Sequence, residues 1–105
     1  MYRSIVSSAG YATVAVEDGA AALRQIEQEP PQVVVLDLAL ARISGQGVYW
    51  ELKGRPRTQH IPVVVVTGTD PSGLPPDVPV LMKPVDPDLL LLAVKSAVNR
   101  APTGT

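Results

Sequence analysis

Three apolar runs in this chain each stop at a polar residue of a different kind. Val33–Leu36 stops at Asp37, Val63–Val66 at Thr67, and Val80–Met82 at Lys83. Together they supply a carboxylate, a hydroxyl and an ammonium. A carboxylate can attack a phosphoryl group and hold it as an aspartyl phosphate. The transferring group spreads negative charge over its oxygens, so catalysis is mostly positioning and charge neutralisation. Lys83 would balance one oxygen and the Thr67 hydroxyl would donate to another. A divalent ion, held by carboxylates and waters, belongs between carboxylate and phosphoryl group.

The three side chains can converge only if the runs are parallel strands that end at one rim. In an open α/β sheet, ligands bind outside the carboxyl ends of the strands. The elements read accordingly. Tyr2, Ile5, Val6 and Ala9 fall at helical spacing and Gly10 stops that helix. Residues 12–16 form a short β-branched strand. Asp18-Gly19 opens a helix with Ala22, Leu23 and Ile26 inward, ended by Pro30-Pro31. The run at 32–38 is almost continuously apolar, as in a strand covered on both faces. A loop through Ser44-Gly45 leads to a helix over about 46–53, and Pro62 starts the strand 63–67. Residues 68–79 hold four Pro and two Gly, which argues against a full helix there. Residues 80–82 form a short strand. Asp86 and Pro87 are the N-cap and first position of a last helix to about Arg100, with Leu90, Val94 and Ala97 inward. Residues 1–100 thus make one domain, and 101–105 a frayed tail. Alternating strands and helices imply right-handed crossovers and a parallel sheet.

These segments resemble the receiver domain of two-component response regulators. The resemblance rests on AGYATVAVEDGAAAL, PQVVVLDLAL, the Gly45 turn, IPVVVVTGT and LMKPVDPDLLLLAV, and covers nearly the whole chain. It implies a flavodoxin-like three-layer sandwich. It implies that Asp37 is the phosphoacceptor, that Thr67 and Lys83 bind the phosphoryl group, and that the Lys83-Pro84 peptide is cis. It implies Mg²⁺ held by Asp37 and the backbone carbonyl of Ala39, a signalling module rather than an enzyme, and a histidine kinase or phosphotransfer protein as partner.

Four departures stand out. A receiver begins with a central strand followed by an acidic pair, and this sequence starts inside what would be the first helix. Glu17 and Asp18 follow the next strand and belong to a helix opening, so Mg²⁺ binding would be weak. The strand order 2-1-3-4-5 would lack its central member. Either residues 12–16 pair directly beside 33–37, or a second chain covers the gap, or the natural protein starts upstream. The last is the favoured history. Second, Val80 stands where the family has its switch aromatic. Third, the Pro-rich 68–79 erodes the fourth helix. Fourth, Ala41 and Arg42 replace the usual Pro-Gly after the acceptor. These changes leave a second reading open, a degenerate receiver that binds proteins without phosphotransfer.

Composition narrows the field further. The chain has 105 residues, 46% hydrophobic and 18% charged, with a formal charge of -1. That balance suits one aliphatic core, and no basic excess exists to neutralise nucleic-acid phosphates. The absence of Cys excludes disulfides and thiolate chemistry, and one His excludes a His-rich metal centre. No apolar run approaches the roughly 18 residues of a membrane span, and MYRSIVSS is no signal peptide. A cytoplasmic protein is expected, with no membrane partner. No phosphate loop or general base supports a small-molecule enzyme.

Other residues read more plainly. Trp50 reads as a half-buried packing residue, His60 as solvated, Gly45-Gln46-Gly47 as a turn, and Arg55-Pro56-Arg57 as a solvated loop. The Leu89–Leu92 run is wider than one buried stripe, which leaves two readings open, a broad core face or association into a homo-oligomer.

Overall fold

Strand pairing in the computed structural model gives a four-stranded parallel sheet in the order β1-β2-β3-β4. The strands are β1 (Thr13–Ala15), β2 (Val33–Asp37), β3 (Val63–Thr67) and β4 (Val80–Met82). The helices are α1 (Gly19–Gln28), α2 (Gly45–Lys53) and α3 (Pro87–Arg100). The structure describes residues 13–15, 18–39, 44–68 and 70–100. The helix expected over residues 1–9, the tail 101–105 and the loop residues Ala41 and Arg42 lie outside them.

Among the described residues, β1 lies directly beside β2. Thr13, Val14 and Ala15 pair in register with Val33, Val34 and Val35. Direct pairing of these two strands is one of the arrangements the sequence leaves open.

Side-chain alternation in β2 and β3 splits the core into two layers. Val34, Leu36, Val63 and Val65 pack with Leu23 and Ile26 of α1 and with Val48, Tyr49 and Leu52 of α2. Val33, Val35, Val64 and Val66 pack with Leu90, Val94 and Ala97 of α3. β2 and β3 are apolar up to their last residues because both of their faces are covered.

Helix starts are set by side-chain caps that satisfy otherwise unpaired backbone donors. The Asp18 carboxylate accepts from Ala20 and Ala21 N–H at 2.9 and 3.3 Å. Ser44 Oγ accepts from Gly47 N–H at 3.1 Å, and Asp86 Oδ1 from Asp88 N–H at 2.8 Å. The described residues between 68 and 79 contain no helix. Leu89 and Leu92, outside the buried stripe of α3, are exposed.

The loop after α2 is held from inside. The Thr58 hydroxyl, fully buried, donates to Leu52 O at 2.8 Å, and Lys53 Nζ donates to Gln59 O and Ile61 O at 3.1 Å each. Arg55 pairs with Glu51 at 2.9 Å and Glu27 at 3.6 Å, tying α2 to α1.

Leu52 is fully buried between α2 and the sheet, whereas Leu92 is mostly exposed. Leu52→Ala should cost about 2–5 kcal/mol through lost burial and a residual cavity. Leu92→Ala should stay within about 0.5 kcal/mol. Urea denaturation followed by circular dichroism checks both.

Candidate functional site

Asp37, Thr67 and Lys83 reach one rim because their strands run parallel in a fixed register. Asp37 pairs with Val66 across β2–β3, and Thr67 with Met82 across β3–β4. The ladder continues past the strands, with Leu38 N–H donating to Val66 O at 3.3 Å and Lys83 N–H to Thr67 O at 2.8 Å.

The two charged groups are in direct contact. Lys83 Nζ donates to Asp37 Oδ2 at 2.5 Å. The other carboxylate oxygen, Oδ1, accepts from Ala39 N–H at 2.9 Å, which turns the chain back just after β2. The side chains of Lys83 and Asp37 keep 35% and 27% of their surface exposed, so the pair is reachable from solvent. An ion pair so exposed contributes about 1 kcal/mol or less to stability. Its weight is therefore in placement rather than in holding the fold. Thr67 is fully buried between the two. The Lys83-Pro84 peptide is cis.

Gly45 shapes the rim from below. A Cβ there would stand 2.4 Å from Leu38 Cα and 2.8 Å from Asp37 O. Its N–H donates to Leu38 O at 3.2 Å. The first turn of α2 thus lies directly on the backbone that carries Asp37. The glycine is required by this close approach, in addition to the turn read from the sequence.

Metal ligation is less well provided. Among the described residues, no group of three or more histidine, aspartate or glutamate side chains could hold a metal ion. Asp18 is committed to the cap of α1. Both oxygens of Asp37 already have donors. The residues described do not make a complete divalent-cation site.

Trp50 has a partner that the sequence did not show. At 52% exposed it is half-buried, as read, and its indole Nε1 donates to Gly73 O at 2.7 Å. Its ring meets Tyr49 edge-on with centroids 5.2 Å apart. His60 is exposed, as read. Val80 is half-buried and packs against the α1/α2 layer.

At the opposite pole, Tyr49, Lys53, His60, Asp77 and Val78 border a cavity of about 370 Å³. Sequence reasoning did not single out Lys53 or Asp77, because loop residues from separate segments meet there. Burial pulls the Lys53 ammonium below the usual lysine range, against the nearby Asp77 charge. Burial, with Asp77 adding to it, raises the Tyr49 phenol.

The family profile described as the response regulator receiver domain matches residues 1–95. Protein Rrf1 of Nitratidesulfovibrio vulgaris is 37% identical over 106 residues, covering 97% of this chain and 75% of that protein. The polar-differentiation response regulator DivK of Brucella anthropi is 31% identical over 67 residues. That match covers 64% of this chain and 54% of DivK, so the chain spans about half of that relative. Among solved structures, the receiver domain of sensor histidine kinase PA1611 from Pseudomonas aeruginosa aligns with a TM-score of 0.80 at 19% identity. It covers 92% of this chain and 84% of that one, and holds a magnesium ion in its active site cleft.

Gly45→Ala should lower stability by about 1–3 kcal/mol, because backbone rather than a flexible side chain must yield. A drop in the urea midpoint at unchanged slope is the expected result.

Proposed function

Because this chain belongs to the response regulator receiver domain family, we propose that Asp37 is its phosphoacceptor. Receiver domains carry signals in phosphorelays of two-component systems. They are signalling modules, and no helix among the described residues is long and apolar enough to cross a membrane.

The observation that carries the reading is the contact between Lys83 and Asp37 at the rim, with Thr67 on the strand between them. In the proposed step, one oxygen of Asp37 attacks phosphorus, and the bond from phosphorus to the donor's histidine nitrogen breaks. The electron pair of the broken bond stays on the histidine nitrogen, which takes up a proton from solvent, and the phosphoryl oxygens keep their negative charge throughout. Lys83 is already within reach of the carboxylate and can pass to those oxygens with little movement. Thr67 supplies a hydroxyl from the neighbouring strand. The donor is a histidine kinase or a phosphotransfer protein.

Receiver domains bind Mg²⁺ in the active site. The described residues bring an incomplete ligand set to this rim, so the step is built on the protein's own groups. This shortfall favours the second reading, a receiver that works through protein contacts without phosphotransfer. Both readings place the protein in the cytoplasm.

Beryllofluoride, which mimics a phosphoryl group on a carboxylate, separates the two. With millimolar Mg²⁺, fluorine NMR should show a bound species that disappears in Asp37→Asn and weakens at least tenfold in Lys83→Ala, a loss of about 1.4 kcal/mol. No bound species in the unaltered chain supports the second reading.

A further inference from the structure

The cavity of about 370 Å³ lies at the amino ends of β3 and β4, away from the Asp37–Lys83 rim. Its floor is apolar. Pro62 and Pro79 stand immediately before β3 and β4, where a strand would otherwise offer a free N–H, and proline has none. Their carbonyls are already used inside the sheet. Pro62 O accepts from Val34 N–H at 3.0 Å, and Pro79 O from Val65 N–H at 2.9 Å. Val63, Val78 and Ala97 also line the floor. Polar contacts to anything bound there must come from side chains.

Two lining side chains carry opposite formal charges, Lys53 and Asp77, so the lining is neutral overall at pH 7. They do not form an ion pair with each other, although the Asp77 charge acts on both Lys53 and the Tyr49 phenol. Lys53 is held in place. Its ammonium donates to Gln59 O and Ile61 O at 3.1 Å each and lies 5.7 Å from the centre of the Tyr49 ring. An ammonium has three N–H groups, so one is left to donate. Asp77 is exposed, and no described residue donates to its carboxylate.

This charge pattern selects among ligands. A lone anion would gain Lys53 and be repelled by Asp77, and a lone cation would meet the reverse. A molecule carrying both charges satisfies both groups. The volume falls in the lower part of the range of about 300–1,000 Å³ typical of small-molecule sites. It suits one small molecule whose aliphatic body covers the proline and valine floor.

We propose that this cavity is a binding site for an aliphatic α-amino acid. Its carboxylate takes the remaining N–H of Lys53, its ammonium meets Asp77, and its side chain lies on Pro62, Val63, Val78 and Pro79. The site is independent of phosphoryl acceptance at Asp37.

The test uses the whole chain and three probes of one shape. They are L-leucine, L-leucinamide, which lacks the carboxylate, and 4-methylpentanoate, which lacks the ammonium. Binding is followed by two-dimensional NMR. At millimolar concentration, L-leucine should produce saturable shifts in the amide signals of Val63, Val78 and Ala97. Each of the other probes should bind about tenfold or more weakly, as expected from losing a hydrogen bond to a charged group.

Asp77→Asn removes the negative charge at an exposed loop position, where the fold tolerates it. It should weaken L-leucine by a similar factor. It should leave 4-methylpentanoate bound at least as tightly, because the repulsion is gone. No saturable shift with L-leucine, equal binding of the three probes, or an Asp77→Asn chain that binds all of them unchanged would each overturn the proposal.

Discussion

The register of three parallel strands is the constraint on which this molecule depends. Asp37 and Lys83 are 46 residues apart and touch only because β2, β3 and β4 are aligned at their carboxyl ends. Sliding any strand by one residue would turn its apolar set to the opposite face and separate the polar tips. Runs such as Val33–Val35 and Val63–Val66 do little to prevent that, since every position carries the same side chain. The flanks do more. Pro62 cannot donate to a ladder, and its carbonyl instead accepts from Val34 N–H at 3.0 Å. Asp37 and Lys83 keep contact with water at the other end, and would lose it if drawn into the sheet.

Much of this was visible in the residues themselves. Aspartate before a glycine or proline marked the starts of α1 and α3, because a short carboxylate there reaches backbone donors locally. The buried stripes Ala22-Leu23-Ile26 and Leu90-Val94-Ala97 followed from helical spacing. Features that depend on distant segments were harder to see. Gly45 looked like a turn residue, and its approach to Leu38 emerges only when α2 is laid against the end of β2. Trp50 looked like packing material, because an indole on a helix usually is. Its partner, the Gly73 carbonyl, lies in a segment whose path has no periodicity to read. The pairing of β1 with β2 was one of several arrangements the sequence allowed.

The rim and the crossover from β3 to β4 share one backbone. β3 ends in Thr67, Trp50 of α2 holds the crossover at Gly73 O, and β4 leads to Lys83. Family members carry a helix in this crossover and an aromatic where this chain has Val80. A proline-stiffened segment pinned by an indole is a different way to join the same two strands. At the rim, Asp37 meets the Lys83 ammonium and the Ala39 N–H. On the proposed reading, a donor phosphoryl group takes over the contact that Lys83 already makes.

The most direct measurement is chemical identification of the modified residue. The chain is incubated with a small phosphoryl donor, with and without Mg²⁺, and then trapped with borohydride and mapped by mass spectrometry. The account predicts one acid-stable reduction product, located at Asp37. A chain that takes up no phosphoryl group, or takes it up at another residue, would contradict it.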